Sequence, residues 1–558
     1  MYNGKYKETS LFSYLVWAST FITIAMTPWA NSDSLIIPKL AILFSVGLSL
    51  IPYIFSMKQH LLQTKMGKIV FLTIFAIITQ LILVVLNSEA PIEQQFFGRT
   101  GRGLGLATEF AILVVLLATI ASFRIEMVSR LQIGIMSSCF ITSIYSIFQK
   151  FGFDFFDWVS RTNGIIGTLG NPNFQSSFAA ISILPTILYF WWRKNGKLLT
   201  IIAVLPSIIL IILSESTQGY IVVLASLGIY LICFLWYKNK SLFYIFSVIF
   251  VFSFLIILMA ILNKGPLASV LYKASVQSRA DFFKISVLIA NDNPFFGVGL
   301  DSLGDNYLKY WNPQITSPIG EFTDNSHNLF LNYASTSGYI MAILQYFLVV
   351  LVITSFILTQ KIEKKFIPIN SSIFAAWIAY QLQAQISPAN IAMLVWNAIF
   401  SGAIIGLFIS VKSKDLNLPV SKGYDLSFIK PLIYFFGVLG LLIIYPLYKV
   451  DHMQFIASRS GNGNLAMQSA LSFPESSIRY ARIGQELIKS NLLPQALELG
   501  RSAVEFNPNA PSAWGLILIN NYASIDERIK AKNEILRLDP FNKEIRDVNF
   551  PPALDPKN

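Results

Sequence analysis

Apolar runs of ~18–22 residues recur along this chain, and each is long enough to cross the ~30 Å hydrocarbon layer of a bilayer as a helix. A soluble protein of 558 residues would divide into domains with polar surfaces. Here hydrophobic residues make up 54% and charged residues only 13%, with 45 Phe and a mean hydropathy of +0.58. The expected fold is all-α, a polytopic helical membrane protein of about 13 transmembrane helices. The spans fall near 11–29, 35–56, 69–86, 104–122, 131–149, 174–192, 198–214, 219–236, 242–262, 329–358, 371–387, 391–411 and 431–449. The first run has no short apolar core followed by a small-residue cleavage site, so it reads as a retained span.

The net charge of +12 is distributed by topology. With the N-terminus in the cytoplasm, the short cytoplasmic loops carry 19 Lys/Arg against 5 Asp/Glu, and the short loops of the other side carry 4 against 6. That asymmetry is the positive-inside rule, and it leaves nucleic-acid binding without support. An odd number of spans puts the C-terminal segment outside the cytoplasm, beside the long loop 263–327. Two domains are expected: a membrane domain, 1–450, and an extracytoplasmic domain, 451–558. Both cysteines, Cys139 and Cys233, fall in spans, so no disulfide framework or thiolate metal site is expected.

After ~450 the composition becomes that of a soluble protein. Pro474, Pro508 and Pro540 are spaced 34 and 32 residues apart. In a 34-residue frame, Tyr480, Ile483, Gly484, Ala496 and Ala503 occupy the aromatic, apolar and small positions of a tetratricopeptide repeat, and Trp514 begins the next unit. The segment resembles such repeats over about 85 residues. A surface for a protein partner is one expectation, and a short helical cap on the membrane domain is the other.

Inside the spans, Lys39 and Glu109 are the formal charges, both near an end, where Lys can snorkel. The absence of midplane carboxylates weighs against ion-coupled transport. The glutamines of "YQLQAQISP" (Gln381, Gln383, Gln385) read equally as helix-to-helix hydrogen bonding. Chemistry-capable side chains gather instead on the outer side: Arg99 and Arg102 in "FFGRTGRGLGL", Arg161, Asn171 and Asn173 in "SRTNGIIGTLGNPNF", Glu215 and Gln218 in "SESTQGY", and Arg279 and His327 on the long loop. Each has a plainer role. Arg99 and Arg102 read also as interfacial anchors, Arg161 as a partner of Asp154 or Asp157, the "GNPN" residues as turn and helix-start residues, and His327 as a capping residue. His60 and His452 read as solvated. "GVGLDSLG" lacks the spacing and the strand-turn-helix setting of a dinucleotide fingerprint.

Taken in order, "RTNGIIGTLGNPNF", "SRADFFKISVLIANDNPFFGVGLDSL" and "DNSHNLFLNYASTSGY" resemble the O-antigen ligase/polymerase superfamily of GT-C type membrane glycosyltransferases, over roughly residues 90–410. The resemblance implies a bacterial inner- or cytoplasmic-membrane enzyme. It would take a glycan from an undecaprenyl-diphosphate donor to an acceptor that is a lipid, a protein or a second lipid-linked unit. It implies that Arg279 holds the diphosphate and His327 activates or orients the acceptor hydroxyl. Arg161, Arg102 and Gln218 would join the diphosphate contacts, with Asn171, Asn173 and Asn328 in support. Many relatives place an arginine where this chain has Gln218 in "STQG", which puts a two-arginine clamp in doubt. No cofactor is expected. The outer loops offer only scattered Asp and no paired carboxylates, so a metal-independent reaction is expected. The rivals are a polymerase of the same superfamily, a transporter or transport accessory, and a scaffold whose repeats do the work.

Overall fold

The computed structural model describes residues 3–156, 158, 165–191, 196–272, 274–317, 320–416 and 426–550. Among them every regular element is a helix. The membrane part opens with α1 (Asn3–Ile24), α2 (Ile36–Leu62), α3 (Lys65–Asn87), a short α4 (Ile92–Phe97), α5 (Leu106–Ser122) and α6 (Val128–Lys150). It continues with α7 (Pro172–Trp191), α8 (Lys197–Leu213), α9 (Thr217–Lys238) and α10 (Lys240–Ile261). The long loop folds as α11 (Ala268–Leu271), α12 (Ala274–Asp292) and α13 (Leu303–Tyr310). Then come α14 (Leu329–Ile362), α15 (Ile367–Gln383), α16 (Ile391–Asp415) and α17 (Leu426–Ser460). The C-terminal segment holds α18 (Gly463–Ala470), α19 (Ser477–Lys489), α20 (Leu493–Phe506), α21 (Pro511–Leu518), α22 (Ile525–Leu538) and α23 (Lys543–Arg546).

Each of the thirteen apolar runs is a helix. Among the described residues nine helices are long and apolar enough to cross a membrane; Leu11–Ile24, α5 and α8 are shorter apolar helices. The protein is a polytopic helical membrane protein. Its bundle is organised around α16, of whose apolar window 94% is buried, while the apolar window of α10, which packs on α9, has no buried residue. Small residues set the close crossings, as van der Waals packing in lipid requires. A Cβ on Gly402 would lie 2.6 Å from Thr119 Cβ, bringing α16 onto α5, and one on Gly440 would lie 2.7 Å from Ser45 Cα, bringing α17 onto α2.

The loop helices are locked to the bundle at a break in α14. Gly338 has φ 83° and ψ 164° inside that helix, and Tyr339 N donates to Pro294 O (2.8 Å). The "NPFFGVG" step fills the gap: Val298 N and Gly299 N donate to Ser335 O and Thr336 O (both 3.0 Å). Gln80 of α3 ties both sides, its Nε2 donating to Phe295 O (2.7 Å) and Ser337 O (3.2 Å). The carbonyls freed by interrupting the helix are thereby satisfied, as burial demands.

The C-terminal helices pack each on the next in the chain from α19 to α22. Tyr480, Ile483, Ala496 and Ala503 are buried in one cluster, and a Cβ on Gly484 would meet Leu516 at 2.5 Å. The array rests on the end of the bundle that carries the 98–105 loop and the long loop: Thr100 Oγ1 and Ser476 Oγ share a hydrogen bond (2.8 Å), Asn507 Nδ2 donates to Asp305 Oδ2 (3.2 Å), and Trp311 meets Phe541 edge-on at 6.4 Å.

Two expectations are corrected here. Lys39 does not snorkel. It is fully buried and its Nζ donates to Thr23 O (3.2 Å) and Ala25 O (2.5 Å), satisfying carbonyls at the end of α1, where a cation is favoured. His452 is not simply solvated: its ring stacks on Tyr448 (centroids 5.8 Å, 7°), and its Nδ1 sits 2.6 Å from Ala30 O, stitching α17 to the loop after α1. The side chain of His60 lies outside the described residues.

Candidate active site

His327 stands at the turn into α14 with φ 53°, in the left-handed region that a non-glycine residue enters at a cost of about 1–2 kcal/mol. Its neighbours hold it there. Asn325 Oδ1 accepts from His327 N (3.0 Å), and Asn332 Oδ1 accepts from Ser326 N (3.3 Å). Asn328 caps α14, accepting from Leu331 N (3.0 Å), and its Nδ2 donates to Gln385 O (3.2 Å). Asn328 therefore positions the histidine's backbone. Capping of α14 falls to Asn328, and the His327 side chain is left out of it. Among the described residues His327 Nδ1 is buried without a hydrogen-bond partner.

The apolar stripe of α12 decides what faces this imidazole. Ser278, Phe282, Ile285, Ser286 and Ile289 form its buried side, with helical spacing. Ser286 Oγ donates to Ser326 Oγ (2.7 Å), and the Phe282 ring lies 5.1 Å from the His327 ring, centre to centre. Arg279, one turn before Phe282, is half-buried, and its Nε is buried without a hydrogen-bond partner among the described residues. Burial lowers the guanidinium's pKa, partly countered by Glu321. His327 responds to the same surroundings: burial first, then Arg279 and Arg102, push its pKa down from 6.5 to about 4, against a pull from Asp324. The imidazole is neutral at neutral pH and keeps a lone pair.

Arg102 is otherwise engaged. Its Nε donates to Asp324 Oδ1 (3.1 Å) and Oδ2 (3.2 Å), and a terminal nitrogen pairs with Oδ1 at 2.7 Å. Arg99 pairs with Asp305 (2.5 Å), so both arginines are ion-paired within the protein. Burial raises Asp324, but Arg102 and Arg99 outweigh it and hold the carboxyl below its ordinary value. Asp301 ties down the same loop, its Oδ2 accepting from Arg99 N (2.7 Å) and Leu104 N (3.0 Å).

Arg102 and Asn171 line one cavity of about 200 Å³ with Lys39, Asp33, Phe174 and Asn390. Asn171 Oδ1 accepts from Asn173 N (2.8 Å) in the turn that starts α7, and Asn173 Oδ1 accepts from Ser216 Oγ (2.7 Å), linking that turn to the start of α9. Gln218 sits in the first turn of α9, buried, with neither amide atom hydrogen-bonded among the described residues. Arg161 lies outside the described residues.

The structure thus gathers Arg279, His327, Arg102 and the newly found Asp324 in one electrostatic neighbourhood, with Asn171 across the adjoining cavity. Asn173 and Gln218 lie at the neighbouring ends of α7 and α9. Asp324 and Lys39 were missed. Nothing in the local sequence marks Asp324 as an arginine's partner 222 residues away, and Lys39 looked like one more snorkelling lysine. Two in-span polar pairs tie helix to helix, Gln381 Nε2 donating to Asn397 Oδ1 (2.8 Å) and Tyr333 OH to Glu109 (3.2 Å), while Gln383 Nε2 is buried without a hydrogen-bond partner among the described residues.

Residues 201–346 match the O-antigen ligase family model, a stretch that runs from α8 through the long loop into α14 and includes Gln218, Arg279, His327 and Asn328. No curated protein matches the chain. That match makes residues 201–346 of this integral membrane protein, which has nine helices apolar and long enough to span among the described residues, similar to the O-antigen ligase family.

Proposed function

We propose that the chain is a metal-independent glycosyltransferase of the bacterial inner or cytoplasmic membrane. It moves a glycan from an undecaprenyl-diphosphate carrier to an acceptor hydroxyl or amide outside the cytoplasm. The observation that carries this reading is the presence of two groups within the family-matched segment, His327 with an unpartnered Nδ1 and Arg279 with an unpartnered Nε, near enough for the guanidinium to push the imidazole's pKa down.

His327 accepts the acceptor's proton as the acceptor oxygen bonds to the anomeric carbon. The glycosidic C–O bond breaks and its electron pair leaves with the diphosphate, with inversion as the superfamily resemblance implies. Arg279 meets the charge that develops on the leaving group, a bidentate donor in a partly desolvated site. A neutral imidazole with a pKa of about 4 is a weak base. The diphosphate, as a nearby anion, raises it and so strengthens the base when donor is bound. Gln218 supplies neutral hydrogen bonds where many relatives carry an arginine, and Arg102, held by Asp324, lines the Asn171 cavity beside Lys39 and Asp33.

The N-terminus is cytoplasmic, and loop 263–327 and the tetratricopeptide-like segment 451–558 are outside, on the side where the acceptor arrives. The segment offers a surface for a protein partner. The test uses membranes from cells making His327→Ala or Arg279→Ala at normal protein levels. Accumulated lipid-linked donor and lost product support the reading, and unchanged transfer in both overturns it. A product that grows as a ladder on the carrier would make the enzyme a polymerase, and loss of transfer on EDTA treatment would remove metal independence.

A further inference from the structure

A second cleft, about 240 Å³, lies where three parts of the chain meet: the turn after α3, the loop from Asn293 to Tyr310, and the connection from α20 to α21. Its wall carries five asparagines, Asn87, Asn293, Asn306, Asn507 and Asn509, with Ser88, Lys309 and Tyr310 among the others. We infer that this cleft is a saccharide subsite, holding a sugar unit of the glycan on the far side of α13 from the transferred bond. The inference rests on the transferase reading above.

The chemistry of the wall argues for sugar hydroxyls. Amides donate and accept, as hydroxyls do, and a saccharide is the ligand class that needs many such neutral contacts. Several of these amides are held in place through their nitrogens: Asn87 Nδ2 donates to Leu83 O (2.7 Å), Asn293 Nδ2 to Ile289 O (3.0 Å) and Asn306 Nδ2 to Ser302 O (3.2 Å). A fixed amide keeps its oxygen as an acceptor at low entropic cost. The charges do not favour a phosphate: Glu89 lines the cleft with its single lysine, Lys309, and the Asp305 carboxylate, engaged by Arg99, Gln94 and Asn507, also faces it.

The position argues for the transferred glycan. Ser302, Asp305, Asn306 and Lys309 recur at helical spacing and line the cleft, while Tyr307 packs against Phe282 at 6.1 Å, and Phe282 against His327 at 5.1 Å. One short helix therefore separates the two places, about 10 Å with its side chains. The C-terminal segment closes the cleft through Asn507 and Asn509, whose amides are held by Asp305, Ser477, Glu89 and Arg537 and so shape its wall.

The test uses the full-length protein in detergent. The probe is the oligosaccharide released by mild acid from the cell's own lipid-linked pool, followed by hydrogen exchange over 293–310 and 505–510. Saturable protection is expected in the wild type and in His327→Ala. Asn306→Ala and the exposed Asn87→Ala should each weaken it roughly three- to tenfold, with unchanged melting temperature, as loss of one hydrogen bond implies. No protection, or protection indifferent to both substitutions, overturns the subsite. Transfer that needs His327 without cleft protection removes only the subsite. Cleft protection with transfer indifferent to His327 and Arg279 removes the transferase reading and leaves a saccharide site.

Discussion

The loop at 98–105 and the segment from Arg279 to His327 bring arginines to the same end of the bundle, yet hold them in opposite ways. In the first, Arg102 grips Asp324 through two nitrogens and Arg99 grips Asp305, with Asp301 fastening the loop's amides. In the second, Arg279 Nε and His327 Nδ1 have no partner among the described residues, and the histidine is held in a left-handed conformation by two asparagines. Paired arginines build the scaffold; an arginine left unpaired beside an oriented imidazole has the character of a site. The contrast matters because the sequence presented all of these residues alike, as basic groups in outer loops.

The sharpest break of that contrast is His327→Ala. Loss of a general base should lower transfer by about 10²–10⁴-fold, with protein level unchanged, measured as product per lipid-linked donor in membranes. Arg279→Lys keeps a charge but loses the planar fork, so transfer should fall roughly tenfold or more while Arg279→Ala falls by about 10²–10³. Equal activity of Arg279→Lys and wild type would show that only charge counts.

Arg102→Ala should act mainly on stability. It leaves the Asp324 carboxylate half-buried and unpaired, costing about 1–3 kcal/mol, read as a lower melting temperature of the purified protein. Adding Asp324→Ala should recover part of that loss, as expected for a pair and not for a ligand contact.

The pH profile gives a finer test. The imidazole is competent when neutral, and its folded pKa of about 4 lies below its ordinary 6.5. The acid limb of kcat/KM should therefore fall near pH 4, and Arg279→Gln should move it upward by removing a positive neighbour. Because the folded state binds fewer protons than the unfolded chain between those values, this group's contribution to stability is complete above pH 6.5 and declines as pH falls toward 4. The smallest effect is expected in the membrane: Gln381→Leu, which breaks only the bond to Asn397, should leave transfer within about twofold. Lost function there, with Arg279→Ala active, would favour a transporter.

Much of the architecture was readable in the chain because lipid leaves few choices. A run of ~20 apolar residues must satisfy its backbone internally, so every such run became a helix. The site was readable in part. Arg279 and His327 stood out through the ordered motifs, and the "NPFFGVG" step was visible as a motif but not as the wedge that fills the break at Gly338. Arg102 was singled out, but its partner was not, and Lys39 was assigned to the interface when it caps α1 inside the bundle.

What the sequence determined by itself is the solvent each segment requires, since hydrophobicity and period are local properties of the chain. What only the tertiary structure decided is which polar groups are already satisfied. Partners such as Arg102 and Asp324, or Asn507 and Asp305, lie some 200 residues apart, and no local pattern encodes their meeting. The free energy of a buried charge depends on that meeting, so the difference between a scaffold arginine and a reactive one arises in three dimensions.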